Sequence, residues 1–572
     1  MEGKKEVYSQ RCDIGIFLLW WMTGIVVITP ILFAIGISIS YLNVVCPFLI
    51  VAFIFFGKNK YGFWKNIFIV GCSVVIVIVI MMSCGSVFDQ TWDGAAYHKT
   101  AVGLLKEGWN PLYNTAFEFN EKSGILPYAG YNPVKYAEAY PKASWYIAAS
   151  IYYITGNIEC GKAYTLFFSA ITYFITLEFF LRKTNSQIKG RVFAVLAALN
   201  PMVLAQMHSY YVDGLTGCIL IMLMIESLTL LDDDFKGEQK KHLLILGALI
   251  IWGCNLKFST LAFTAFTCIV VFLFSTYYHK EDKKYIGKLF GFYSGTASFS
   301  VIVVGSNPYV TNIHRYKDIF YGFSNMMNAD SLEADFGVKG LGRAGRAVAS
   351  LFGRMSHGCY TSLGELLKVP FTYDKSEIDY YSYVDLRVSG SGIFFSGVFV
   401  VSLGIILFML IKKKLNKKTD KLMLAFIALI IVELLAFEGT YQIRYVSHIY
   451  IIVIYALAVL WREDGGCVVN KRRYYATALS VFLILFVCAN NLPWINLAYE
   501  RINMGINYKC ELKQLAKENS ERKRTIAFWA YDFSGMHFNL ADYDIVDYDF
   551  VDMSELPADG YASIYGNWIM YY

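Results

Sequence analysis

Apolar stretches about long enough to cross a lipid bilayer recur along almost the whole chain, and nothing else constrains the fold as strongly. A hydrocarbon core of about 30 Å takes roughly 20 apolar residues in helical form. The stretches 14–37, 43–57, 66–84, 161–181, 192–206, 213–231, 243–256, 259–278, 289–305, 393–411, 422–437, 445–461 and 474–490 meet or approach that length. Lipid offers the backbone no hydrogen-bond partners, so such stretches cross as helices. Composition agrees: 56% of residues are hydrophobic and only 17% charged, against about 25% charged in soluble domains. The chain therefore reads as an all-α polytopic membrane protein of about thirteen transmembrane helices. The first stretch is too long for a signal-peptide core and lacks a small-residue cleavage site, so it reads as a retained span.

The net charge of +6 suggests nucleic acid until its distribution is examined. With the N-terminus inside, the inner segments are 1–13, 58–65, 182–191, 232–242, 279–288, 412–421 and 462–473, and they hold 27 of the 51 Lys and Arg residues. The short outer loops hold only Lys257 and Arg444. This is the positive-inside asymmetry of an oriented membrane protein, so the basic balance sets topology and no nucleic-acid partner is expected. The 12 cysteines are scattered without CxxC pairs or regular spacing, which indicates packing residues rather than a zinc site or disulfide framework.

That topology divides the chain into N-terminal transmembrane helices (1–84), a first large outer loop (85–160), a transmembrane core (161–305), a second outer loop (306–392), C-terminal transmembrane helices (393–490) and a small outer α/β domain (491–572). In the first loop, Tyr97, Ala101, Leu104 and Leu105 share a helical face, which predicts a short helix over 95–109 lying in the interfacial plane. Gly108 and Asn110-Pro111 end it. The tyrosine-rich 113–153 reads as an ordered loop over the membrane, and the Gly/Arg-rich 337–346 as a mobile stretch. In the tail, a charged helix over 497–518 precedes strands expected at 525–531 and 544–550. A unit of that size is near the lower limit for an independent core, so it is expected to rest on the other outer loops.

The chemistry-bearing residues gather at the outer ends of the spans. Asp89 and Asp93 follow the third stretch within Phe88-Asp-Gln-Thr-Trp-Asp-Gly-Ala-Ala-Tyr-His98. Asp93 suits either of two roles, an N-cap of the 95–109 helix or a general base for an acceptor hydroxyl. Asp89 is the weaker of the pair, equally a solvated loop residue. Tyr97 and His98 fit an aromatic belt or substrate contact, imidazole being able to donate and accept near neutral pH. Tyr211 and Asp213 lie in Tyr210-Tyr-Val-Asp-Gly214 at another outer mouth, where Asp213 either caps its span or shares base, orienting or cation-binding duty with Asp93. Lys257 and Arg444 either snorkel or hold a lipid phosphate. His314 and Arg315, in the second loop, are a further candidate phosphate contact.

These features resemble the GT-C superfamily of glycosyltransferases. The motif Trp92-Asp-Gly-Ala-Ala-Tyr-His98 is similar to the acidic motif in the first outer loop of protein-mannosyltransferase-like members, and Asn307-Pro-Tyr-Val and Arg444-Tyr445 are similar to bacterial members. The resemblance covers roughly 66–461. It implies a polyprenyl-phosphate-sugar donor, a glycan, lipid or protein acceptor, and an inverting transfer; the loop charges place the site on the outer face, and the richness in Tyr, Lys and Phe points to the plasma membrane of a bacterium. The resemblance further implies Asp93 as the catalytic base, with Lys257 and Arg444 holding the phosphate; from their own positions Asp213 is taken as a second catalytic residue, and Asp89, Tyr97, His98, Tyr211, His314 and Arg315 as substrate-binding. Many members carry two acids where this chain has Asp93-Gly94, which leaves a divalent cation an open question and no other cofactor expected. Two other readings compete. A surface-polysaccharide polymerase or ligase would use cations of a late outer loop such as His314 and Arg315. A lipid or polysaccharide flippase would show inverted repeats and helices broken at mid-depth, which the sequence lacks.

Overall fold

The computed structural model describes residues 2–58, 62–126, 129–322, 338, 340–356, 362–386, 391–436, 442–462, 471–529, 532–556, 561–564 and 568–572. Seven helices among them are long and apolar enough to cross a membrane: Cys12–Ala34, Phe63–Cys84, Ile158–Thr184, Phe258–Tyr278, Lys283–Val304, Ile443–Arg462 and the long Tyr474–Glu521. Leu42–Gly57 and Phe395–Ile411 are apolar but shorter. Asp213–Thr229 runs through the centre of the bundle, every one of its residues buried, as expected of a helix apolar on all sides.

Four stretches depart from expectation, the first two with local causes. The 192–206 stretch is not one helix but two, Gln187–Ala198 and Pro201–Gln206. Asn200 starts the second, its side chain accepting from Val203 N at 3.2 Å, with Pro201 at the first helical position, where its missing N–H costs nothing. Conversely, Lys471–Glu521 continues as a single helix through Pro493, although proline inside a helix removes a hydrogen bond. Trp494, buried against Tyr381 with ring centroids 4.6 Å apart, anchors it there. The tyrosine-rich 113–153 is helical for much of its length (Ala116–Ser123, Tyr131–Ala139, Ala143–Thr155). In the Gly/Arg-rich stretch, Gly337 and Lys339 lie outside the described residues, and Arg343–Phe352 is helical.

The tail carries a four-stranded sheet: β1 (Thr525–Phe528), β2 (Asp549–Asp552), β3 (Ala562–Ile564) and β4 (Ile569–Tyr571), in the order β2-β1-β4-β3. β1 pairs with β2 in parallel and with β4 antiparallel. The second strand thus begins five residues later than the sequence suggested, and Tyr531 lies outside the described residues. Ile526, Phe528, Leu540 and Ile569 share one core with Phe88 and Ala95 of the first loop, so the tail is built onto the acidic motif.

Candidate active site at one end of the bundle

The chain turns helical at Trp92 and continues through a widened turn, Gly94–His98, into Lys99–Lys106. Thr91 starts it: its hydroxyl accepts from Gly94 N at 3.2 Å and its carbonyl from Ala95 N at 2.9 Å. Asp93 therefore sits inside the first turn and makes no capping bond, which corrects the capping expectation. Its carboxylate lines a narrow cleft with Tyr97, His98, Tyr140, Trp145 and Lys257 and accepts the Tyr97 hydroxyl, one turn on, at 3.0 Å. The helix is packed inside the protein and does not present Lys99 to water. Every residue from Gly94 to Leu105 is buried, and Lys99 Nζ reaches Glu159 at 2.6 Å and Asn539 of the tail at 2.8 Å.

Asp89 is neither a solvated loop residue nor a cleft residue. It is 3% exposed, accepts from Thr91 N at 2.9 Å and Tyr210 N at 2.7 Å, and so ties the motif to the segment that leads into Asp213–Thr229. This explains the glycine after Asp93. A Cβ at Gly94 would stand 2.1 Å from Asp89 Oδ2, so no second acidic side chain fits there.

Across the cleft, Asp213 Oδ1 lies 3.0 Å from Lys257 Nζ and Oδ2 accepts from Gln206 Nε2 at 3.1 Å. Asp213 opens its helix without a capping bond. Gln206 also accepts from Gly214 N, and Ser447 donates to the Asp213 carbonyl at 2.7 Å. Lys257 Nζ stands 3.9 Å over the Tyr445 ring. Tyr211 lines the same cleft, with the Arg444 guanidinium 5.4 Å from its ring centroid. Arg444 is 5% exposed and stands one layer back, paired with Asp385 and hydrogen-bonded to Gln442 and the Tyr445 hydroxyl.

His98 also lines the cleft. Its Nδ1 lies 2.7 Å from Trp145 Nε1, and an indole can only donate, so the ring proton resides on Nε2. Burial, with Lys257 adding to it, holds the imidazole down at about 3, making it a neutral donor at physiological pH. Burial lifts the Asp93 carboxyl to about 6, and the Asp385 carboxylate adds to the rise, while Arg444, the Tyr97 hydrogen bond and Lys257 pull the other way. The side chain keeps partial solvent access. A carboxylate so poised can accept a proton near neutral pH.

His314 and Arg315 are not brought to this cleft. Arg315 pairs with Glu138 at 2.8 Å and donates to the Pro111 and Leu112 carbonyls, while His314 is exposed. Sequence reasoning missed Asp385, Gln206, Tyr140 and Trp145. Tyr140 stacks on Tyr97 at 5.5 Å and belonged to the tyrosine-rich run already noted, but Asp385 carries no local pattern that marks it. Among the described residues no three His, Cys, Asp or Glu side chains converge as a cation's ligand set. No protein-family model and no curated protein matches the chain.

Proposed function

We propose that the chain is a membrane glycosyltransferase that moves a sugar from a polyprenyl-phosphate-linked donor to an acceptor hydroxyl, with inversion and with Asp93 as general base. The observation that carries this reading is one arrangement: a carboxylate raised to about 6, in an aromatic-lined cleft at one end of an apolar helix bundle, faced by the Asp213–Lys257 pair. By the positive-inside asymmetry that end faces outward.

Each group then has a task. Asp93 takes the acceptor's proton as its oxygen attacks the anomeric carbon from the face opposite the lipid phosphate. The bond from that carbon to the phosphate oxygen breaks, and its electron pair leaves with the phosphate. Lys257 meets the charge growing on that oxygen, which a dry, prearranged cation stabilises more than water does. Asp213, with both oxygens engaged by Lys257 and Gln206, orients Lys257 rather than acting as a second base. Arg444 contributes its field from behind Tyr211 and Tyr445. His98 offers Nε2–H to a sugar hydroxyl, and Tyr97, Tyr140 and Trp145 offer ring faces. The reading that gives the chemistry to His314 and Arg315 gains no support, because Arg315 is engaged elsewhere.

The test uses purified wild type and Asp93→Asn with polyprenyl-phosphate donors carrying labelled sugars, scored for released lipid phosphate. A general base contributes roughly 10²–10⁴ in rate, so release should fall by that factor in Asp93→Asn while the protein still folds and binds donor. Equal release by the two proteins would remove Asp93 from the chemistry.

A further inference from the structure

One wall of the cleft is the turn between two short helices, Tyr131–Ala139 and Ala143–Thr155. Tyr140, Pro141, Ser144 and Trp145 line the cleft from that turn. Lys142 stands in the middle of it, 1% exposed and behind the lining. Its Nζ donates to the Glu138 carbonyl at 3.0 Å and to the Tyr140 carbonyl at 2.9 Å. A cation there closes the C-terminal end of the first helix, where positive charge is favoured. The same ammonium lies 5.5 Å from the Trp109 ring centroid and 5.7 Å from that of Trp145, within the range of a cation–π contact.

Burying a charge is costly without a counter-charge beside it, and Glu138 gives Lys142 only its carbonyl. The Glu138 carboxylate accepts from Ala116 N at 2.8 Å and pairs with Arg315 at 2.8 Å. Burial pushes the Lys142 ammonium down to about 7; the Glu138 charge opposes that fall and Arg315 adds to it. On the other side Trp109 and Trp145 present neutral rings. Two contacts of the site start from the residues this ammonium holds. Tyr140 stacks on Tyr97, whose hydroxyl donates to Asp93. Trp145 donates to His98 Nδ1 at 2.7 Å, which keeps the ring proton on Nε2.

We infer that Lys142 is a positioning residue for the cleft: its ammonium clamps the turn from behind and fixes the Tyr140 and Trp145 rings against Tyr97 and His98. The inference rests on the reading of Asp93 and His98 as groups that meet substrate. It carries an opposition of signs. Between about 7 and the ordinary 10.5 of a lysine, the folded protein binds fewer protons than the unfolded chain, so stability rises with pH. The clamp loses its charge over the same range. Activity should therefore fall while stability rises, which separates the clamp from unfolding.

The test compares wild type, Lys142→Met and Lys142→Arg as full-length chains labelled with fluorotryptophan. Lipid-phosphate release from polyprenyl-phosphate-sugar donors and the fluorine NMR spectrum are followed from about pH 5.5 to 8.5. In wild type kcat/KM should fall on an alkaline limb near 7. Lys142→Met should lack that limb and run about tenfold below the wild-type maximum, the worth of one desolvated cation–π contact. The loss should lie mainly in KM, because ring faces hold the sugar alike before and in the transition state. Lys142→Arg, charged at every pH of the assay, should keep its activity near neutrality and lose the limb. The Trp145 fluorine signal, assigned by its absence from Trp145→Phe, should titrate near 7 in wild type and stay put in Lys142→Met. Wild-type activity with an unchanged alkaline limb in Lys142→Met would overturn the inference, as would a wild-type Trp145 signal indifferent to pH. If wild type turns over no donor, the reading of the site fails and the fluorine titration alone decides the role of Lys142. If Lys142→Met elutes as aggregate, wild type and Lys142→Arg decide by the same two readouts.

Discussion

Replacing Asp385 with Asn probes why Asp93 is held near neutrality. Asp385 raises the Asp93 carboxyl in two ways. Its charge adds to the rise of the Asp93 carboxyl, and it also neutralises Arg444, which pulls that carboxyl down. Removing the charge cancels the first effect and frees the second, so both changes move Asp93 in the same direction, downward from about 6. Burial still holds it up, so the expected displacement is about one pH unit, on the order of 1.4 kcal/mol between the protonation states. Asn keeps an acceptor for the guanidinium. Even so, the pair is nearly buried, at 6% and 13% side-chain exposure, so stability should fall by about 3 kcal/mol, the low end for breaking a buried pair. The assay is lipid-phosphate release as kcat/KM from about pH 4.5 to 8, where the acid limb reports the base in the free enzyme. In wild type that limb should lie near 6, with no contribution from His98, which is neutral throughout the range. In Asp385→Asn it should lie about one unit lower. A limb that stays put or moves up would refute the idea that Asp385 and Arg444 jointly set the base.

Three further outcomes are expected. Because the folded Asp93 carboxyl titrates above its ordinary 3.8, its favourable contribution is complete below that value and lost as pH rises through about 6. Asp93→Asn should therefore raise thermal stability at pH 7.5 by about 1–3 kcal/mol and not near pH 4, a difference thermal unfolding in detergent will detect. At Gly103 a Cβ would stand 2.1 Å from the Phe538 ring, so Gly103→Ala should cost about 1–3 kcal/mol and make the tail more sensitive to limited proteolysis. Gly94→Ala would press on Asp89 Oδ2. Donor turnover should drop at least about tenfold through displacement of Asp93, and normal turnover would show that the Asp89 strut yields freely.

The sequence by itself determined that the chain is largely helical and carries helices long and apolar enough to cross a membrane, and it singled out Asp93, Asp213 and Lys257 as a group. Hydropathy and the cation count of each loop are local properties, so the exceptional Lys257 and the acidic Asp93 and Asp213 were legible before any contact was known. Their pairing was not. Lys257 meets Asp213 across 44 residues, Asp89 meets Tyr210 across 121, and Lys99 meets Asn539 across 440. No periodicity encodes such contacts, and they decide which acid is a strut and which faces the cleft. The cap shows the same limit at short range: Thr91 and Asp93 are both acceptable starts, and the Asp89 link to Tyr210 accompanies the helix beginning at Trp92. Asp385 and Arg315 are the plainest cases. One joined the site and the other left it because of what stands opposite each in the folded chain, and the elevated titration of Asp93 exists only where burial and the Asp385 charge are brought to it.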